Sequence, residues 1–131
     1  MIVDSSAVVA ILLAEPDAAA CAKAIENSPD RRISAVNYVE AAIVIDGRGD
    51  PMASARFDDL LREASIDIEP VDEIQAKFAR EAYRTFGRGS GHPARLNLGD
   101  CFAYALARRR GEALLFKGND FVHTDINPAL A

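Results

Sequence analysis

Three long apolar segments of the sequence each contain a single acidic residue. Asp4 lies in MIVDSSAVVAILLA, Glu40 in ISAVNYVEAAIVI and Asp100 in LNLGDCFAYALA, and each is the only charged side chain of its segment. A helix or strand that is apolar on every side is a buried element. An ionised carboxylate in such surroundings is costly unless its pKa rises or it finds a partner. The three acids therefore have either separate local partners or one that they share.

A divalent cation is the shared partner that a group of carboxylates favours. Ligation by carboxylate oxygens, without clustered His or Cys, selects Mg²⁺ or Mn²⁺ over Zn²⁺. No EF-hand loop pattern is present in the sequence to suggest Ca²⁺. An Mg²⁺ ion held by a few carboxylates keeps water and open coordination positions, which suits phosphoryl chemistry. This chemistry suggests metal-assisted hydrolysis of a phosphodiester.

Short strand patterns alternate with helix patterns along the chain. Strands are predicted at MIV, RRIS, SIDIEPV and ALLF. Ser5 or Ser6 is predicted to cap the first helix, and Ser34, Asp50 and Asn97 are predicted to cap later ones. Strands separated by helices imply an α/β domain with a mainly parallel central sheet and helices on both faces.

The order of these elements predicts that the acids meet at one edge of the sheet. Ligands of parallel sheets bind beyond the carboxyl ends of the strands. Asp4 directly follows the first strand, and Asp120, in KGND, follows the last. Glu40 and Asp100 lie near the beginnings of helices that can start from the same edge. Four acids from distant parts of the chain are therefore expected to come together.

Glu40 lies on an apolar face of its predicted helix. Val36, Val39 and Ile43 share that face at a spacing of 3.6 residues, which predicts that Glu40 points toward the core. Its alternative explanation is a buried ion pair with an arginine.

The other acids also have purely structural explanations. Asp100 lies three residues after Asn97, where the helix dipole alone favours an acid. Asp4 is explained equally well as a cap or turn residue. Asp120 lies in a loop that is typical of a solvated turn, and Asp125 could take its place.

The composition limits the class of protein. With 131 residues, of which 50% are hydrophobic, the chain can form one domain that buries roughly two thirds of its extended surface. Cys21 and Cys101 have apolar or small neighbours, so reduced core thiols are expected. No basic leader or membrane-length apolar run is present, so we expect a soluble cytoplasmic protein. The net charge of −5 argues against a nucleic-acid binder that is basic over its whole surface, but allows a local basic groove.

The segment GRGSGHPARL is predicted to be a flexible loop between the last two helices. Arg84, Arg88 and Arg95 lie in or beside this loop and could contact a phosphate backbone. The three arginines of RRRG are more simply a helix end that faces solvent. His92 and His123 have no Cys or paired His at ligand spacing, which favours surface residues over a metal site.

Three segments in succession resemble the signatures of a known family. MIVDSSAVVAILLAEP, ISAVNYVEAAIVI and LNLGDCFAYALARRRGEALLFKGNDF look like those of PIN-domain ribonucleases, specifically the VapC toxins of prokaryotic VapBC toxin–antitoxin modules. The resemblance spans nearly the whole chain, so residues 1–131 are expected to form one PIN domain. It implies endonucleolytic cleavage of RNA that depends on Mg²⁺ or Mn²⁺, with water as the nucleophile.

The resemblance also implies roles for individual residues. Asp4, Glu40 and Asp100 match the three most characteristic acids of the family, so the metal-binding role is carried to each. Asp120 aligns with a variable fourth acid, in KGNDF where many relatives have a Thr-containing turn, and a water-mediated role is therefore plausible for it. Ser6 is expected to orient a ligand or a water, and Asn97 is expected to cap its helix and support the site.

The implied partners are a second copy of the chain and a cognate VapB antitoxin. In the family, the C-terminal segment of the antitoxin lies across the acidic cleft and can insert a basic side chain among the carboxylates. An arginine there neutralises the acids as a metal does and competes with it. No membrane partner is expected.

Two other functions fit parts of the pattern. The first is a catalytically silent α/β interaction module whose acids are structural. The second is a phosphatase or receiver-like domain in which Asp4 or another Asp accepts a phosphoryl group. Against the second, Asp4 is followed by two serines without the D-x-D arrangement of an aspartate-nucleophile phosphatase.

Overall fold

A computed structural model describes residues 1–130 and contains a four-stranded sheet surrounded by helices. The strand order is β3-β2-β1-β4, and all three neighbouring pairs are parallel. This architecture confirms the predicted α/β class. The strands are β1 (Ile2–Val3), β2 (Arg31–Ser34), β3 (Ile66–Glu69) and β4 (Leu114–Leu115). The helices are α1 (Ser5–Leu12), α2 (Ala18–Asn27), α3 (Ala35–Asp46), α4 (Pro51–Glu63), α5 (Glu73–Phe86) and α6 (Leu98–Arg110).

The two central strands send alternate side chains into two separate apolar cores. Ile2 and Leu114 pack in the core that contains the buried residues of α5 and α6. Val3 and Leu115 pack in the core built by α1 to α4. Successive side chains of a strand point to opposite faces of its sheet. The helices therefore cover both faces, as the sequence predicts.

The first helix begins differently from the prediction. Its N-cap is Asp4, whose extended backbone precedes the first turn and whose side chain accepts the Ser6 N–H. Ser5 and Ser6 already lie within the helix, and a cap residue must have a non-helical backbone. The predicted caps Ser34, Asp50 and Asn97 are confirmed, each accepting a backbone N–H of its own first turn.

The predicted direction of the Glu40 face of α3 was wrong. Val39 is 51% exposed and Ile43 is 67% exposed, whereas Val36 and Glu40 are half-buried, so this face lies at the edge of the core and not inside it. The helix has apolar residues on nearly every side, so periodicity alone does not select the buried face. The fully buried side chains of α3 are Asn37, Ala41 and Ile45.

Two further predictions concern the cysteines and membrane spans. Cys21 and Cys101 are both buried and free, as predicted. Within residues 1–130, no helix combines the length and apolarity needed to cross a membrane.

Candidate functional site

Asp4 is a buried acid at the carboxyl end of β1, and its two oxygens have different surroundings. Oδ2 accepts hydrogen bonds from the Ser6 N–H at 3.0 Å and from the Ser6 hydroxyl at 2.5 Å. Oδ1 is buried and has no hydrogen-bond partner among the described residues. The pKa of Asp4 is raised to about 6, mainly by burial; the two Ser6 hydrogen bonds lower it, and the charges of Glu40 and Asp120 add to the increase. A buried acceptor without a partner is costly, and a cation would satisfy it.

Ser6 links Asp4 to the segment that follows β4. Its hydroxyl oxygen accepts a hydrogen bond from the backbone N–H of Lys117 at 3.0 Å, and the same hydroxyl donates its own hydrogen bond to Asp4. The Lys117 ammonium donates to a carboxylate oxygen of Glu15 at 2.8 Å, which fixes the same segment against the end of α1. The orienting role expected for Ser6 therefore has a geometric basis, because one hydroxyl positions both Asp4 and the loop that carries Asp120.

Asn37, which was not among the predicted site residues, positions the Glu40 carboxylate. Its amide donates to Oε1 of Glu40 at 2.8 Å and to the carbonyl oxygen of Gly99 at 3.0 Å. The Ser5 hydroxyl donates to the same Oε1 at 3.3 Å. Asn37 is fully buried, so this amide ties α3 to the start of α6 in the protein interior. The available signal was a lone amide three residues before the acid in an otherwise apolar segment.

Gly99 is a second residue of the site that was not predicted from the sequence. A Cβ atom at this position would lie 1.8 Å from Oε2 of Glu40 and 2.2 Å from its carboxyl carbon. Any side chain at the second residue of α6 would therefore displace this carboxylate, so only glycine lets Glu40 keep its position. Nothing in the local helix pattern shows this requirement.

Asp100 is a capping residue, and its carboxyl also has a raised pKa. Its Oδ2 accepts the Asn97 N–H at 3.0 Å, and Oδ1 of Asn97 accepts the Asp100 N–H at 2.8 Å. This reciprocal capping box bears out the structural explanation of both residues. The pKa of Asp100 is nevertheless raised to about 7, mainly by burial; the Asn97 hydrogen bond lowers it, and the charges of Asp4, Asp120 and Glu40 add to the increase. Asp100 is therefore electrostatically linked to the other predicted acids, which a helix cap does not require.

Asp120 is exposed in the segment after β4, close enough to act electrostatically on Asp4 and Asp100. The alternative residue, Asp125, instead accepts the Tyr104 hydroxyl at 2.7 Å. Burial, followed by this bond, raises the pKa of Tyr104 to about 12. Asp120 is therefore the better candidate for the fourth acid.

Glu40 and Asp120 lie close enough to Asp4 and Asp100 for their charges to act on them, but the four acids do not form a closed coordination shell. Within residues 1–130, no three Asp, Glu, His or Cys side chains converge tightly enough to enclose a metal ion. Hydrogen bonds hold the carboxylates of Glu40 and Asp100 to Asn37 and Asn97. The donor set is entirely oxygen, and Oδ1 of Asp4 lacks a partner. An all-oxygen donor set with one unpartnered buried oxygen fits a hard divalent cation.

The remaining polar residues singled out in the sequence have varied environments. His123 is exposed, as predicted, whereas His92 is half-buried, and its Nδ1 accepts the Ala94 N–H at 3.1 Å. The His92 ring packs edge-on against Phe86 with centroids 4.9 Å apart. His92 therefore holds the loop in place. The three arginines at the end of α6 pair with Glu81, Asp72 and Glu69.

The chain is similar over its whole length to proteins of known family. Residues 1–127 match the family model of the PIN domain. VapC ribonuclease Mb0625 of Mycobacterium bovis and ribonuclease VapC28 of Mycobacterium tuberculosis are each 57% identical to it over 130 residues, covering 99% of this chain and 98% of those proteins. Ribonuclease VapC42 of Mycobacterium tuberculosis is 54% identical over 129 residues, covering 98% of each chain.

Two solved structures share the fold at low sequence identity. The crystal structure of Mycobacterium tuberculosis VapC20, described as a toxin that cleaves the sarcin–ricin loop, has a TM-score of 0.70 and 15% identity. That similarity covers 97% of this chain and 98% of VapC20. A toxin–antitoxin complex from Klebsiella pneumoniae has a TM-score of 0.71 and 15% identity, over 95% of this chain and 92% of that chain. On the family model and the curated relatives together, the chain belongs to the PIN-domain family, among its VapC ribonucleases.

Proposed function

We propose that this chain is the toxin of a toxin–antitoxin module and an endoribonuclease that depends on Mg²⁺ or Mn²⁺. The names of its relatives support ribonuclease activity. The observation that carries the metal dependence is the electrostatic linkage of Asp4, Glu40, Asp100 and Asp120, together with the unpartnered buried oxygen of Asp4. Several carboxylates in one partly buried region repel one another unless positive charge joins them.

In this proposal Asp4, Glu40 and Asp100 hold the metal directly, and Asp120 acts directly or through a water. A bound Mg²⁺ or Mn²⁺ supplies the positive charge that stabilises the attack of water on a phosphodiester. The protein contributes orientation, because Ser6 fixes one oxygen of Asp4 and Asn37 fixes one oxygen of Glu40. In each case the hydrogen-bonded oxygen leaves its partner oxygen available as a ligand.

The proposed protein partners are a cognate VapB antitoxin and a second copy of the chain. The toxin–antitoxin complex among the structural neighbours supports the first. The exposed face of α3 presents Val39 and Ile43 on the same side as Glu40. An antitoxin segment with apolar residues followed by an arginine fits such a face, because the arginine is attracted to the acids.

RNA cleavage by the isolated protein tests the enzymatic proposal. A labelled total RNA pool is incubated with Mg²⁺, with Mn²⁺ or with chelator, and the products are separated by size. We expect discrete metal-dependent cuts that Asp4→Asn, Glu40→Gln and Asp100→Asn abolish without unfolding. Asp67→Asn is the matched control, since it removes the same charge from an exposed position of β3. Asp120→Asn is expected to reduce cleavage rather than abolish it.

The same preparations discriminate the alternatives. Cleavage that persists in the three acid variants would contradict the assigned roles. No cleavage and no metal binding by the folded wild type would favour the silent interaction module. A phosphoenzyme trapped with a phosphoryl donor and lost in Asp4→Asn would favour the phosphoacceptor function.

Light scattering on the isolated chain, and on the chain co-expressed with the antitoxin, tests the partners. A dimer and a larger hetero-oligomer without nuclease activity are the expected results. An active complex, or a failure of the two proteins to co-purify, would contradict inhibition by the antitoxin.

A further inference from the structure

A small polar cavity borders the acidic site and has the opposite charge. The Gly-rich loop before α6 and the segment after β4 enclose it. Its lining includes Arg88, Arg95, Asn119, Asp120 and His123. Two guanidinium groups face a single carboxylate, so the cavity has a net positive charge in a protein whose net charge is −5.

Arg88 and Arg95 differ from the three arginines at the end of α6 in having no carboxylate partner among residues 1–130. The three arginines at the end of α6 all pair with carboxylates of neighbouring elements. Within residues 1–130, neither Arg88 nor Arg95 forms an ion pair, and both side chains are exposed. Their charges are therefore available to an external anion.

The backbone holds the two arginines at the base of the same loop. The Arg88 N–H donates to the carbonyl oxygen of Leu96 at 3.0 Å, and the Leu96 N–H donates to the carbonyl oxygen of Phe86 at 2.8 Å. These bonds form a parallel bridge between Gly87 and Leu96. The two ends of the loop are thereby fixed next to each other, and Arg88 and Arg95 face one cavity although they lie at opposite ends of the loop.

Asp120 connects this cavity to the acidic site. It lines the cavity, and the segment that carries it is fixed to the acidic site by the Lys117 N–H, which donates to the Ser6 hydroxyl at 3.0 Å. A strand of RNA carries a phosphate at every nucleotide, so a strand with one phosphate at the acids places another close by. Guanidinium groups bind phosphate oxygens through paired N–H donors, and Asn and His side chains add further donors.

We propose that Arg88 and Arg95, with Asn119 and His123, bind the RNA phosphate next to the one that is cleaved. The inference rests on the proposed ribonuclease function and assigns positioning residues to it. The acids would bind the metal, and this cavity would hold the neighbouring part of the strand in register.

Salt-dependent RNA binding tests this assignment separately from cleavage. A short labelled single-stranded RNA is titrated with protein in chelator, and its fluorescence anisotropy is measured at several salt concentrations. For single strands, the slope of log affinity against log salt falls by about 0.7 for each phosphate that the protein no longer neutralises. We expect a fall of about that size in Arg88→Gln/Arg95→Gln. The matched control Arg80→Gln, which removes a charge from an exposed position of α5, should retain the wild-type slope.

Lysine variants show whether a changed slope comes from the lost positive charge or from a disturbed fold. Arg88→Lys/Arg95→Lys should recover the wild-type slope, since lysine also neutralises the bound phosphate. Melting temperatures close to that of wild type check that the exposed substitutions leave the fold intact.

Three outcomes would overturn the inference. The double glutamine variant could have the wild-type slope, the slope could fall equally in Arg80→Gln, or the wild type could fail to bind RNA. If the slopes behave as expected but no RNA is cleaved with metal, the phosphate site stands and the proposed nuclease function fails. If RNA is cleaved but the slopes do not change, the function stands and this assignment fails.

Discussion

Gly99 and Glu40 pack so closely that a single methyl group could not be placed between them. The Cβ of an alanine at 99 would lie 1.8 Å from Oε2 of Glu40, far inside van der Waals contact. The two residues are distant in sequence and belong to α6 and α3. The start of α6 therefore determines where the Glu40 carboxylate can lie.

Gly99→Ala is expected to abolish most of the RNA cleavage while the protein still folds. Alanine favours helix by about 1 kcal/mol over glycine, which offsets part of the clash. The displaced Glu40 carboxylate should weaken metal binding, measured by calorimetry alongside cleavage. The matched control is Leu98→Ala on the same turn, whose side chain is 70% exposed and makes no comparable contact. Full activity in Gly99→Ala would show that Glu40 tolerates displacement.

Asn37→Leu is expected to lower the free energy of unfolding by about 1–3 kcal/mol, because it removes a buried donor that two acceptors share. The substitution removes the amide that serves Glu40 and the Gly99 carbonyl. At a temperature where the variant is fully folded, its cleavage rate should still be lower than that of the wild type. Urea denaturation and cleavage rates measure the two effects. Unchanged activity would mean that Ser5 alone holds Glu40 in place.

Ser6→Ala is expected to cost about 1–2 kcal/mol of stability, since its hydroxyl bridges a buried carboxylate and a backbone N–H. Metal affinity should also fall, because Asp4 loses its shorter hydrogen bond. Ser54→Ala is the control, since its hydroxyl donates to Asp46 at 2.7 Å in an exposed position. Equal losses in the two variants would contradict the bridging role of Ser6.

The metal-free protein is expected to become less stable as the pH rises from about 4 to about 7, because Asp4 and Asp100 keep protons in the folded state that the unfolded chain releases. Their pKa values are raised from 3.8 to about 6 and about 7. The stabilising effect of these protons is present at low pH and is lost as each carboxyl ionises. Urea midpoints in chelator across this range measure the effect, and Asp4→Asn/Asp100→Asn should flatten the profile. A profile that the double variant leaves unchanged would assign the pH dependence to other groups.

Mg²⁺ or Mn²⁺ is expected to raise the melting temperature at neutral pH, where the ionised acids repel one another. Binding to the folded state alone adds about 2.7 kcal/mol at a metal concentration one hundred times the dissociation constant. The increase should disappear in Asp4→Asn and persist in Asp67→Asn. An equal increase in both variants would indicate a metal site elsewhere.

The amino-acid sequence alone determined three of the later helix caps, the α/β class and the choice of candidate acids. Ser34, Asp50 and Asn97 cap their helices through hydrogen bonds within a few residues, so sequence patterns identify them. A single acid in an apolar segment indicates a carboxylate that is buried at a cost in free energy, and the sequence shows such acids directly. The α/β class follows from the alternation of strand and helix patterns.

Only the tertiary structure decided which face of α3 is buried and how Glu40 is held. The helix is apolar nearly all round, so periodicity placed Val39 and Ile43 in the core, whereas both are exposed. The Asn37–Gly99 hydrogen bond and the close packing of Gly99 on Glu40 join residues that are far apart in the sequence. Such contacts depend on how α3 and α6 pack, and a local sequence pattern contains no information about the partner that a distant element brings.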